Sequence, residues 1–361
     1  MRFDPPPLRD PDRERNVAFI GSSIRAWIWL LFLMVLAMVV LGGITRLTGS
    51  GLSMVQWRPL MGTIPPMSHD AWIDVFAQYQ RTPQFEQVNH WMTLDNFRSI
   101  FMWEYLHRLL GRLVGVIAVL PWLYFRLRRK LPVRLERRIV IAIILGGCQG
   151  LLGWYMVQSG LVDRPEVSHY RLAAHLSLAL FVGMWLLWTI FEFQPRPTLR
   201  VNGVRMCRYI AAFIGLCGIQ IVYGAFMAGT RAGFLFNTFP DLNGNYSPAP
   251  FFTGVSLLAD ALESPIAIHY IHRALGWLLF FSAPAMWFYA WLRGLPRAIV
   301  RGCAALCVAV ALQFLLGVLT VIWSVPTSYA VLHQAGAVAL LGLALAVLHT
   351  CVRATDDTSG T

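Results

Sequence analysis

Eight apolar runs of about 20 residues, the length that crosses a bilayer core, recur along this chain. They lie at roughly 26–45, 105–125, 139–159, 170–191, 208–229, 266–291, 299–323 and 329–351. Only 13% of the 361 residues are charged and 57% are hydrophobic, about half the charged share of a soluble domain. The expected fold class is an all-α polytopic membrane protein with eight transmembrane helices, arranged as two pseudo-symmetric four-helix bundles. The polar, Pro-rich start (MRFDPPPLRDPDRERN) reads as a solvated tail and not as a cleavable signal.

The formal net charge of +12 does not point to nucleic acid, because of where it sits. Lys and Arg number five in the N-terminal tail, seven in 126–138, four in 192–208 and three in 293–301. The alternate connections are poorer: four across the long 46–103 stretch, two in 160–171, one in 230–265 and none in 324–328. By the positive-inside rule both termini are expected in the cytoplasm, with the chain multi-pass in the membrane. The six cysteines (148, 207, 217, 303, 307, 351) avoid the outer connections, where disulfides would form, and read as small helix-packing residues.

The chain repeats itself. EYLHRLLGRL (104–113) matches HYIHRALGWL (269–278) at an offset of 165, and QGLLG (149–153) matches QFLLG (313–317) at 164. Weaker matches join HYRLAAHLSLAL (169–180) to SYAVLHQAGAVAL (328–340) and GGITRLTGSGL (42–52) to GAFMAGTRAGF (224–234). The preserved order implies two four-helix units: a cytoplasmic tail (1–25), an N-terminal unit (26–191), a linker (192–208), a C-terminal unit (209–351) and a second cytoplasmic tail (352–361). An even number of spans gives both units one orientation, related by an axis along the membrane normal. In the first long outer connection, HDAWIDVFAQYQRTPQFEQV is expected to form short interfacial helices, with Trp72, Phe76 and Tyr79 at headgroup level.

Four histidines carry the chemistry. His107, His175, His272 and His333 each lie one or two turns inside an apolar run, and each has Gly or Ala four residues later (Gly111, Ala179, Gly276, Ala337). Position i+4 stacks on the same helix face, so the place beside each ring is cleared. His69, His90, His269 and His349 have bulky followers, and of the rest only His169 has a small one. One membrane histidine alone is most simply a hydrogen-bonding partner for a neighbouring helix. Four at matching places in a duplicated unit point to metal ligation, His107 with His175 and His272 with His333. Zinc or copper would want carboxylate or thiolate support that the pairs lack. A large planar ligand suits the cleared faces, and haem is held by axial imidazole.

Glu104 breaks the symmetry, because its counterpart is His269. It lies one turn before His107 on the same face, either solvated at the membrane boundary or poised as a proton donor or acceptor over the first site. Arg46, Arg108, Arg231 and Arg273 near the outer ends either pair with haem propionates or snorkel to the interface; the sequence does not rank them.

GGITRLTGSGLSMVQWRPLMGTIPP, the EYLHR block, VSHYRLAAHL, FNTFP and HYIHRALGW together resemble the haem A synthase family over about residues 24–350. The likeness is to the form shared by mitochondria and alphaproteobacteria, without the outer-loop cysteine pair of another branch. The resemblance implies oxidation of the C8 methyl of haem O to a formyl group by successive hydroxylations, giving haem A for terminal oxidases. It implies haem B as cofactor on His272 and His333, with His107, His175 and Glu104 serving the substrate haem and the chemistry. Iron with two axial histidines has no open position for oxygen, so a directly activating site must lose a ligand; otherwise the cofactor relays electrons. No NAD(P)H or flavin signature is present, so an external donor, ferredoxin-like or the quinone pool, is expected. A membrane haem O synthase is expected to pass the substrate within the lipid, and a homo-oligomer is left open. The alternatives are a di-haem cytochrome b-type electron carrier, which would have no need of Glu104, and a transporter, which would call for broken helices near the bilayer midplane.

Overall fold

The computed structural model describes residues 21–56, 64–161, 165–193, 204–246, 252 and 256–356. Most of the expected N-terminal tail (1–20), the middle of the expected linker (194–203) and the last five residues lie outside those described residues. Ten α-helices follow in order: α1 (Ser22–Leu47), α2 (His69–Tyr79), α3 (Leu94–Leu127), α4 (Val133–Gln158), α5 (His169–Glu192), α6 (Val204–Gly229), α7 (Leu257–Glu263), α8 (Pro265–Leu292), α9 (Arg297–Ile322) and α10 (Thr327–Asp356). All but α2 and α7 are long and apolar enough to cross a membrane, eight in all. No strand occurs among the described residues. The chain is a multi-pass helical membrane protein.

The side chains of these helices form two large cores. Ile28, Leu31 and Phe32 of α1 pack with Phe125 of α3, Leu135 and Ile139 of α4, and Leu186 and Ile190 of α5. Phe213 of α6 packs with Met286 of α8, Leu306 of α9 and Leu341 of α10. A smaller seam of Val39, Leu180 and Val338 joins α1, α5 and α10, and Gln334 Nε2 on α10 donates to the Val39 carbonyl of α1 at 2.7 Å. The cysteines are all free thiols; Cys217, Cys303 and Cys351 are buried in the second core, and Cys207 and Cys351 sit with their sulfurs 2.8 Å apart.

Two local devices show why the sequence builds these helices. Pro121 inside α3 has no N–H for the Ile117 carbonyl one turn earlier, and Trp27 Nε1 of α1 supplies the missing donor at 2.7 Å. The ends of α3 and α8 match. Arg129 (φ 51°) and Gly294 (φ 60°) take the left-handed position, and the next N–H reaches back to Phe125 and Ala290 (2.9 and 3.1 Å), a Schellman closure.

Helix α3 begins at Leu94, eleven residues before the apolar run that marks it. Thr93 caps it reciprocally with Asn96, satisfying N–H groups that the first turn leaves open. The added turns carry Phe97 and Phe101, which pack with Tyr79 of α2. Trp72 and Phe76 lean on the same rings, Trp72 on Phe101 at 5.1 Å and Phe76 on Phe97 at 5.1 Å. The expected short helices in this connection are present as α2 and a turn of π-helix at Phe85–Asn89. Tyr79 is wholly buried among these rings. Its hydroxyl donates to Gln84 Oε1 and accepts from Asn89 Nδ2, and burial pushes its pKa above the ordinary value.

Candidate functional site

The four ligand candidates gather at one end of the molecule, the end that carries the long α1–α3 and α6–α8 connections. His175, His272 and His333 each lie within two turns of the start of α5, α8 and α10, and His107 lies at the same end of the longer α3. His107 and His175 are within electrostatic reach of one another. The rings of His272 and His333 lie edge-on to one another, at 76°, with centroids 6.4 Å apart. Two imidazoles flanking one metal, with metal–nitrogen bonds of about 2.0 Å, would have centroids about 6.3 Å apart. The second pair therefore already has the spacing of two axial ligands.

Each ring is seated against a glycine of the neighbouring helix. A Cβ added at Gly42 of α1 would lie 3.1 Å from Cε1 of His107, and at Gly153 of α4 2.9 Å from that of His175. Gly224 of α6 and Gly317 of α9 do the same for His272 (3.3 Å) and His333 (2.9 Å). The small residues singled out at i+4 do a different job. Gly111 packs toward Met38 and Gly276 toward Gln220, each 3.6 Å from a would-be Cβ. The ring-seating glycines were missed, although all four lie in the repeated blocks.

Three glutamines, also missed, brace three of the rings. Gln149 Nε2 approaches His175 Nε2 at 3.3 Å and donates to the His175 carbonyl at 2.9 Å. Gln313 Nε2 stands 3.1 Å from His333 Nδ1 and 2.7 Å from the His333 carbonyl. Gln220 Nε2 stands 3.4 Å from His272 Nε2. At the place equivalent to Gln220, the first unit has Met38. Buried Nδ1 atoms of His107, His175 and His272 have no partner, nor do the buried Oε1 atoms of Gln149, Gln220 and Gln313. Such orphans are costly in an apolar interior. They make sense when one ring nitrogen binds a metal and the other needs an acceptor, the role outer groups play around ligating histidines. Among the described residues no cluster of three or more His, Cys, Asp or Glu is placed to hold a bare metal ion. A porphyrin supplies four nitrogens itself, so two imidazoles suffice, and the residues fit a haem.

Glu104 is buried and fully engaged. Its Oε2 accepts from Ser53 Oγ (2.8 Å) and the Met54 N–H (2.7 Å), and its Oε1 accepts from Arg108 Nη2 (2.5 Å). The reading of a carboxylate merely solvated at the boundary is thereby excluded. Arg108 also donates to the Met54 and Gln56 carbonyls, so its guanidinium ties the α1–α3 connection to α3. Arg273 repeats the arrangement, giving Nε to His269 Nε2 (3.0 Å) and its other nitrogens to the Asp241 and Phe236 carbonyls. His269 Nδ1 meets the Ala232 carbonyl at 2.9 Å. Arg231 pairs with Glu166 at 2.7 Å. Arg46 donates to the Ala228 carbonyl at 2.7 Å and keeps a buried Nε with no partner. None of the four simply snorkels.

The chain is similar along nearly its whole length to curated proteins named heme A synthase. That of Nitrosospira multiformis is 39% identical over 342 residues, covering 94% of this chain and 96% of the relative. A Bradyrhizobium protein is 39% identical over 342 residues (94% and 91%), and one from Maricaulis maris 38% over 335 residues (92% and 97%). The COX15-CtaA family profile, described as cytochrome oxidase assembly protein, matches residues 25–345. With two histidine pairs whose four rings are each seated against a glycine, and that match over nearly all of its length, the chain belongs to the COX15-CtaA family of cytochrome oxidase assembly proteins.

Proposed function

We propose that this protein is a haem A synthase, oxidising the C8 methyl of haem O to a formyl group in the pathway that supplies haem A to terminal oxidases. The observation that carries the reading is the asymmetry at one end of the molecule: two alike imidazole pairs, only one with a buried carboxylate a turn away. The relatives' shared name supports it.

On this reading His272 and His333 hold a resident haem B, and His107 and His175 grip the substrate haem. The two units span 26–191 and 209–351. Bound haem iron supplies electron transfer and oxygen chemistry. The chain's own groups position and protonate. Ser53, the Met54 N–H and Arg108 hold the Glu104 carboxylate one turn from His107, where it takes or gives a proton at Oε1 or Oε2 as the methyl is oxidised. Arg46, with its unpartnered Nε, is the best placed of the four arginines to meet a propionate. The basic connections put both termini in the cytoplasm and both pairs near the outer face of a bacterial inner membrane. Electrons come from an external donor, and haem O from a membrane haem O synthase. Two pairs at one depth do not suit a carrier that moves electrons across the membrane.

The test is haem extraction from membranes of a host that makes haem O. Haem A is expected only when this chain is present, and its absence there overturns the reading. His272→Ala is expected to remove haem B; an unchanged bis-histidine spectrum in that variant rejects the assignment of the resident site.

A further inference from the structure

The two units differ below their histidines, and the difference is a hole. Beneath His107, a cavity of about 150 Å³ lies between α1, α3, α4 and α5, with Gly111, Gly115, Ala118, Ala142 and Gly146 among its lining residues. Leu31, Ile139 and Leu186 form its buried floor, while Gly115, Val119 and Gly146 are exposed at its mouth on the side that faces lipid. In the second unit the equivalent positions are filled. Aligning the repeats puts Phe280 at Gly115, Leu306 at Ala142 and Val310 at Gly146. There Phe280 and Phe314 pack with ring centroids 5.0 Å apart, and Trp277 lies 4.6 Å from Phe314.

Nothing structural requires the first unit to be so bare. A Cβ at Gly115, Gly146, Gly147 or Gly150 would meet no atom within 4 Å. Only 6% of the apolar windows of α3 and α4 is buried, against 22% and 11% for α8 and α9. Small residues that let helices approach closely are ordinary in membranes. Here the helices have not approached, and the space is left open. At its upper end stands His107, one turn above Gly111 on the same face, with a buried Nδ1 that has no partner. Gly111 itself lines the cleft, which therefore begins one helical turn from the first imidazole pair.

We propose that this cleft is the binding site for the isoprenoid tail of the substrate haem. The inference rests on the assignment of the first pair to haem O. Haem O differs from haem B by a long farnesyl-derived chain on its ring, so a site for haem O needs an apolar channel that a haem B site does not. The unit assigned to haem B is plugged with two phenylalanines, and the unit assigned to haem O is emptied by glycine. A cavity of about 150 Å³ takes about one isoprene unit, since a cavity of that size takes a benzene ring; the rest of the tail lies along the open groove. The mouth between α3 and α4 also gives the tail a sideways route in from the bilayer.

The test carries the second unit's plugs into the first. Protein purified from a host making haem O is expected to contain haem B together with haem O or haem A. In Gly115→Phe and Gly146→Val, extracted haem O plus haem A is expected to fall at least about 10-fold per protein, while haem B and its spectrum stay at the unsubstituted level. Plugged variants that retain haem O and convert it normally overturn the proposal, and would mark the cleft as a place for lipid acyl chains. Since a plugged variant that loses haem B as well has misfolded, a second measurement stands apart from folding. Haem O with a photoreactive tail, bound to the unsubstituted protein, is expected to cross-link to α3 and α4 within 111–119 and 139–150. Cross-links elsewhere overturn the tail site alone, whereas a protein that binds no haem O overturns the assignment beneath it.

Discussion

At the end that carries the long connections, the two units face one task with different residues. Each must tie a connection to the helix bearing the first histidine of its pair, and each does so with an arginine directly after that histidine. Arg108 holds the Met54 and Gln56 carbonyls and leans on Glu104; Arg273 holds the Asp241 and Phe236 carbonyls and leans on His269. The partner one turn earlier is a carboxylate in one case and an imidazole in the other. His269 shows that anchoring the loop needs no carboxylate. What Glu104 adds beyond anchoring is a negative charge and a titratable oxygen beside the first pair only, and that surplus is what chemistry can use.

The sharpest way to break this comparison is to exchange the two solutions. Glu104→Ala is a poor probe, because it removes the anion on which Arg108 leans and would loosen the loop whatever the carboxylate does. Glu104→His imports the arrangement that already works in the second unit. Haem B content and thermal stability are expected to stay close to the unsubstituted protein, while conversion of haem O to haem A falls about 10²–10⁴-fold, the usual worth of a positioned acid or base. Conversion within threefold of the unsubstituted rate would make Glu104 an anchor and nothing more.

A smaller effect is expected at the braces. The second pair has a glutamine on each ring, and the first pair has Gln149 on His175 but Met38 where Gln220 would stand. Replacing the outer partner of a ligating histidine lowers metal affinity about 10–100-fold. Gln220→Leu and Gln313→Leu are therefore expected to weaken haem B retention within that range and to shift its midpoint potential, read by redox titration. Met38→Gln is expected to do the opposite for substrate haem, raising its retention. If the glutamine-to-leucine variants leave both retention and potential unchanged, the amides are packing groups.

How much of this was legible in the sequence follows from what repeats and what does not. The eight spans were readable because a bilayer imposes one length and one polarity on each. The early start of α3 was not, since Asp95, Asn96 and Arg98 break the apolar run there and only the Thr93 cap marks the helix. The histidines stood out because duplication placed polar groups at matching sites. Gln149, Gln313 and the ring-seating glycines lay inside the same repeated blocks, yet a glutamine or glycine in a membrane helix is ordinary until its neighbour is known. Gln220 had no repeat signal, because its counterpart is a methionine. The cleft is the clearest case: Gly115 opposite Phe280 follows once the EYLHR repeat is extended, but only packed helices reveal that nothing else fills the space.

The smallest expected effects come where the two units agree. Gly153 and Gly317 would each place a Cβ 2.9 Å from a ring carbon, whereas Gly42 and Gly224 would do so at 3.1 and 3.3 Å. A contact under 3 Å forces the imidazole to move, and overpacking of that kind costs about 1–3 kcal/mol. The longer pair asks for a shift of a few tenths of an ångström and should cost less. Alanine at 153 and 317 is thus expected to lower the unfolding temperature by similar amounts, and alanine at 42 and 224 by smaller but again similar amounts. The pairing matters more than the size. Each pair shares a place in the repeat but seats an imidazole of a different histidine pair, so equal losses within pairs mean that ring seating is a property of the repeat. A large loss at 153 with none at 317 would mean that the two imidazole sites are not built alike, and the comparison between them would lose its common frame.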